Sequence, residues 1–140
     1  MIKKNKVYII AEAGVNHNGS LSKALKLIEI AKKCGADAVK FQLFDVDALV
    51  RAQTPLAKYQ KADGNFLDDQ KELLYGLGLP FEKHQELVNL CKKVEVNYLT
   101  SVFDSPSLKA ACEMLTQGRI KLGSGELTNY TLIKEIKPTL

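Results

Sequence analysis

Four short stretches of the sequence concentrate residues able to hold an anion or move a proton. "EAGVNHNGS" (12–20) supplies Glu12, Asn16, His17 and Asn18, and "KFQ" (40–42) supplies Lys40 and Gln42. "TSVFD" (100–104) supplies Thr100 and Ser101, and "KLGSGE" (121–126) supplies Lys121, Ser124 and Glu126. Lysines held in apolar runs are fixed cations for a phosphate or carboxylate, and glutamates beside them are candidates for proton transfer. Burying a lysine is costly unless an anion meets it. For Lys40 that anion is either a bound ligand or the carboxylate of a neighbouring strand, with Glu12 the obvious candidate. The glycines flanking Ser124 let backbone N–H groups approach an anion; the alternative is a left-handed turn leading into a helix. The stretch is neither a Walker A loop nor a GxGxxG fingerprint.

His17 is open to three roles: metal ligand, acid–base group or hydrogen-bonded loop residue. A metal site has little support. The other histidine, His84, is predicted on the exposed side of a helix, and the sequence has no Cys/His cluster. Cys34, Cys91 and Cys112 form no CxxC pair and all fall within helical patterns, which predicts buried, reduced thiols.

The elements that must position these residues alternate. Val7 to Ala13 is an apolar run of strand length, followed by a helical stripe of Leu21, Ala24, Leu25, Ile28 and Ala31 between an N-cap at Ser20 and a stop at Gly35. Asp37 to Phe44 is a second strand, and Leu87, Leu90, Cys91 and Val94 mark a second long helix. Val96 to Phe103 is a third strand, before a helix with Ser105 as cap, Pro106 at its first position and a stripe of Leu108, Ala111, Cys112 and Leu115. Arg119 to Gly123 and Asn129 to Lys137 complete a fourth strand and helix. Such alternation predicts a parallel α/β sheet, either doubly wound or a (β/α)8 barrel. In both, ligands bind at the carboxyl ends of the strands, where all four polar stretches lie. Lys40 and Gln42 share one face of their strand, and Val39 and Phe41 face the helices. With Lys121 similarly placed, two buried lysines are expected to face one mouth. The connection from Asp45 to Pro80 is too long for a tight turn, with a short helix expected in "DDQKELLYGL"; connections of that size tend to be functional.

The 140 residues carry 20 Lys+Arg against 16 Asp+Glu, a net +4 without a basic tract, which argues against nucleic acid and suits a small anionic substrate. No apolar stretch approaches the roughly 20 residues of a membrane span, and the start lacks a signal-peptide pattern, so a cytoplasmic domain is expected, with no membrane partner.

Taken together, "IIAEAGVNHNGSL", "GADAVKFQ", "LTSVFD" and "IKLGSGELTNYTLI" closely resemble the N-terminal half of the sialic acid (N-acetylneuraminate) synthase family, whose relatives include legionaminic acid synthases. The resemblance implies a TIM-type (β/α)8 barrel of which residues 1–140 are the first four βα units, a half-barrel without the C-terminal half or the antifreeze-like domain. It implies condensation of phosphoenolpyruvate with an N-acylated amino sugar, N-acetylmannosamine or a diacetamido-trideoxy hexose, with release of phosphate. By motif matching, Lys40 and Lys121, helped by Ser101 and Ser124, hold phosphoenolpyruvate. Glu12 and Glu126 serve proton transfer and water activation, Gln42 touches the sugar, and Asn65 in the long connection matches a sugar-contacting asparagine. The family's divalent metal, manganese or magnesium, is held by two histidines later in the barrel, and His17 and His84 do not match them. A homodimer is implied for the full-length enzyme. Two alternatives remain: a natural half-barrel that binds a phosphorylated small molecule or pairs with another chain without catalysis, and a related 3-deoxy-ulosonate synthase.

Overall fold

A computed structural model describes residues 7–56, 69–115 and 119–136. Four strands, β1 (Ile10–Gly14), β2 (Ala38–Leu43), β3 (Asn97–Val102) and β4 (Ile120–Leu122), form one parallel sheet in the order β1-β2-β3-β4. The main helices are α1 (Leu21–Lys33), α4 (Phe81–Lys93), α5 (Ser105–Met114) and α6 (Tyr130–Glu135). Two short helices, α2 (Val46–Leu49) and α3 (Gln70–Leu77), occupy the long connection after β2. A 3-10 turn, Ser124–Thr128, precedes α6.

The helices cover one face of the sheet. Val39 and Phe41 of β2 pack with Ala24, Ile28 and Ala31 of α1 and Leu87, Val88 and Cys91 of α4. Leu43, from the same side of β2, packs with Val102, with Leu108 and Ala111 of α5 and with Leu132 of α6. A doubly wound sheet carries helices on both faces and reverses strand order at a switch point; here each strand adds beside the last, the winding of a barrel. The two architectures left open by the sequence are separated by this one-sided packing.

Local chemistry sets the element ends. Ser20 caps α1 through the Lys23 amide, as expected, and α1 ends at Cys34 before Gly35, whose φ of +79° is the left-handed conformation glycine takes most easily. The cap of α5 is one residue earlier than expected. Asp104, not Ser105, accepts from the Ser107 amide at 2.6 Å, so Pro106 sits at the second helical position. A carboxylate is the stronger acceptor, and Ser107 Oγ completes the capping box from the other side.

Candidate active site

Period-two alternation turns Glu12, Lys40, Gln42, Ser101 and Lys121 away from the helices. The register lines them up across the sheet, with Glu12 opposite Lys40, Gln42 opposite Ser101 and Ser101 opposite Lys121. The Lys40 ammonium forms an ion pair with the Glu12 carboxylate and donates to Ser101 Oγ at 3.3 Å. Lys40 is only 7% exposed and Ser101 1%, whereas the Glu12 side chain is 55% exposed. The pair therefore offsets the cost of burying Lys40 while its acidic member faces solvent. The two carboxyl-end side chains Glu12 and Gln42 close over Gly14. A Cβ there would lie 3.3 Å from Glu12 Oε1 and 3.9 Å from Gln42 Nε2, and the φ of +53° disfavours a side chain as well.

Lys121 departs from the expectation of two buried lysines. It shares the face of Lys40, but β4 is the three-residue edge of the described sheet and Lys121 is exposed there. The following "GSGE" is not a left-handed turn: Gly123 has φ −62° and Gly125 has no positive φ. Gly123 instead lies close under the Phe103 ring, which would stand 3.3 Å from a Cβ. Ser124 is exposed, and Glu126 Oε2 accepts from Asn129 Nδ2 at 2.7 Å while Asn129 caps α6. Glu12, Lys40, Gln42 and Ser101 thus come together, whereas Lys121, Ser124 and Glu126 form no hydrogen bond or ion pair with them among the described residues. Asn65 lies outside the described residues.

The histidines sit on the other side of the sheet. His84 is not on the exposed side of its helix; it is fully buried and heads the stripe His84, Leu87, Val88, Cys91 of α4. Its spacing of three, four and seven to those residues is the signal that would have placed it. His84 Nδ1 lies 2.7 Å from the Tyr98 hydroxyl. His17 is buried too, its ring 6.0 Å from that of Phe41, which stacks on Tyr98 at 5.9 Å. Burial lowers the pKa of His17, and burial with the nearby His17 charge takes His84 down to about 4. Both are neutral core residues near pH 7. Among the described residues no group of three or more His, Cys, Asp or Glu side chains could hold a metal ion. The cysteines split: Cys91 is buried, but Cys34 at the end of α1 and Cys112 on the outer side of α5 are exposed, against the expectation for all three. No helix among the described residues is long and apolar enough to cross a membrane.

The chain is 42% identical over 127 residues to the N,N'-diacetyllegionaminic acid synthase of Legionella pneumophila, covering 91% of this chain and 35% of that protein. It is 37% identical to the N-acetylneuraminate-9-phosphate synthase of Drosophila melanogaster, covering 92% and 34% respectively. Among solved structures, the N-acetylneuraminic acid synthetase of Leptospira borgpetersenii superposes with a TM-score of 0.73 at 27% identity, over 93% of this chain and 40% of that one. The fold is that of the N-terminal half of a sialic acid synthase barrel, and the chain spans little more than a third of the length of these relatives. The NeuB family profile matches residues 27–139, and with these relatives it shows that the chain belongs to the NeuB family.

Proposed function

We propose that these residues are the phosphoenolpyruvate-binding half of a synthase that condenses phosphoenolpyruvate with the open-chain aldehyde of an N-acylated amino sugar, forming a nonulosonic acid and releasing phosphate. The observation that carries this is the buried Lys40, clasped by Glu12 and Ser101 on the polar face at the strand ends. A lysine so placed is a cation whose present partner is a solvent-facing carboxylate that a stronger anion can displace. Lys121, on the same face of the sheet, and Ser124, both exposed at the neighbouring rim, are assigned to the same anion. The 42% identity to a diacetyllegionaminic acid synthase favours a diacetamido-trideoxy sugar over N-acetylmannosamine.

Attack of the enol carbon on the aldehyde leaves positive charge at C2 of the donor and negative charge on the aldehyde oxygen. In this reading Lys40 and Ser101 fix the donor's carboxylate or phosphate. Glu12, displaced from Lys40, stands beside the cationic centre, and Glu126 takes the proton of the water that adds there before phosphate leaves. Gln42, packed over Gly14 beside Glu12, meets the sugar. The family's divalent metal does not fit the residues described: the two histidines are buried on the helix side of the sheet, and no cluster of ligands faces the polar one. The family resemblance assigns its ligands to the other half of the barrel.

Steady-state kinetics of Lys121→Ala, in the protein that carries this half together with the rest of its barrel, tests the assignment. The donor KM is expected to rise about tenfold with the sugar KM within twofold, the loss of one charged contact. An unchanged donor KM and rate would remove Lys121 from the site. Glu126→Gln is expected to lower kcat with both KM values near wild type.

A further inference from the structure

The connection between β2 and α4 is tied down by a chain of aspartates whose first member is Asp104, at the end of β3. Asp104 is buried, and its two carboxylate oxygens accept from backbone amides of two different elements. Oδ1 accepts from the Ser107 amide at 2.6 Å and caps α5. Oδ2 accepts from the Asp45 amide at 2.9 Å, fifty-nine residues away in sequence. Asp45 is in turn the cap of α2, accepting from the Asp47 and Ala48 amides. Asp47 pairs with Lys71 of α3 at 2.6 Å, and Asp69, which caps α3, also accepts from the Gln53 amide at 3.2 Å. At the far end of α3 the Gly19 amide donates to the Leu77 carbonyl at 3.2 Å. A Cβ on Gly19 would stand 2.7 Å from the Gly76 carbonyl oxygen, so backbone meets backbone there. The described parts of the connection, 45–56 and 69–80, are held at entry by the cap of α5 and at exit by the loop after β1.

Capping α5 needs one oxygen, and serine or asparagine would serve as well. A buried carboxylate is the costlier choice, and burial pushes the Asp104 acid above its usual range. The bond that requires its second oxygen is the one to Asp45. Phe44 and Phe103, the residues just before each aspartate, pack edge to face at 6.4 Å and reinforce the same junction.

We propose that Asp104 is a positioning residue for the acceptor end of the site: by holding the Asp45 amide it fixes the rim that begins three residues beyond Gln42. This rests on the synthase reading above. Lys40, Gln42 and Ser101 all stand on strands held by the sheet ladder, so the clamp acts through the rim at 45–49 that continues from Gln42, and its effect is expected on the sugar more than on phosphoenolpyruvate.

Asp104→Ser separates the two bonds, because a serine hydroxyl still caps α5 but cannot also reach Asp45. In the protein with its complete barrel, amide hydrogen exchange across 45–49 is expected to quicken at least tenfold. The sugar KM is expected to rise about tenfold with the donor KM within twofold, the loss of one hydrogen bond to a charged acceptor. Ser107→Ala, which removes only the reciprocal half of the capping box, is expected to change neither KM. Unchanged exchange across 45–49, or both KM values rising together, would overturn the proposal. Should Asp104→Ser fail to fold, Asp104→Asn keeps a strong cap through its carbonyl oxygen and sets an NH2, which cannot accept, against the Asp45 amide, and must show the same order of KM effects. A wild-type protein that condenses phosphoenolpyruvate with no amino sugar overturns the synthase reading instead, and the exchange rates alone then decide the clamp.

Discussion

The two faces of β2 carry ionisable chemistry of opposite kinds within one residue of each other. Lys40 looks out from the helices and is charged, ion-paired to Glu12 and joined to Ser101. Phe41 looks into the helices and backs a neutral histidine, His17, with Tyr98 and His84 beyond it. Both faces bury polar nitrogen, but only one of them does so with partners of opposite charge. A titratable group at a strand end is therefore a ligand-binding candidate or a core residue according to the parity of its position, before its residue type is considered.

The sharpest way to break this contrast is to truncate each face in turn. Phe41→Ala removes a fully buried ring at the junction of α1, α4 and the sheet, and is expected to cost about 3–5 kcal/mol in urea denaturation. A loss below about 1 kcal/mol would mean the helix-side core is not continuous through Phe41.

The buried histidines give the helix face an acid sensitivity. Above pH 6.5 His84 is neutral folded or unfolded. As the pH falls from 6.5 toward about 4 the unfolded chain takes up a proton that the folded chain refuses, so stability declines, and it levels off once both states are protonated. At about 1.4 kcal/mol per unit the full effect is about 3 kcal/mol. His17, lowered in the same direction by burial, adds to the same limb. His84→Gln, which can still meet the Tyr98 hydroxyl but does not titrate, is expected to flatten that decline between pH 6.5 and 4; an unaltered acid limb would place the sensitivity elsewhere.

On the opposite face, Lys40→Met keeps the aliphatic stem and removes the charge. The abandoned partner, Glu12, is more than half exposed and returns to water, so stability should change by less than about 1 kcal/mol. On the synthase reading proposed above, phosphoenolpyruvate affinity, by calorimetric titration of a protein that includes the rest of the barrel, is expected to fall about 100-fold. A variant that lost stability like Phe41→Ala while binding normally would make Lys40 a structural ion-pair residue and erase the difference between the faces.

The strand and helix order was legible because each element announces itself locally, through periodicity and through caps such as Ser20. The residues around Lys40 were legible for the same reason: alternation along β2 assigns Lys40 and Gln42 to one face whatever the tertiary structure. What was not legible depended on contacts between distant elements. The choice between a barrel-type and a doubly wound sheet is made by which face α1, α4 and α5 share, which no window of sequence contains. His84 is the exception, a local matter: the buried stripe of α4 begins at His84 and not at Leu87. The cap of α5 falls on Asp104 through a local capping box with Ser107; what no local window contains is the use of its second oxygen by Asp45, fifty-nine residues away.

The smallest expected effect is one of solvent access and costs the fold nothing. Cys91 lies within the stripe that buries His84, and its thiol is pushed up to about 12 by burial. Cys34 and Cys112 are exposed at the end of α1 and on the outer side of α5. Since the thiolate is the species that reacts, the native protein at pH 8 is expected to take an alkylating agent at Cys34 and Cys112, and at Cys91 only once denaturant opens the helix face. Peptide mapping reads the three sites separately. Phe41→Ala should then speed labelling of Cys91 through the core it loosens, whereas Lys40→Met should leave that rate alone, because its side chain touches only the polar face. Equal rates at Cys91 in both variants would show that the faces open together, and the division of β2 into a binding side and a packing side would not survive as a description of the protein in motion.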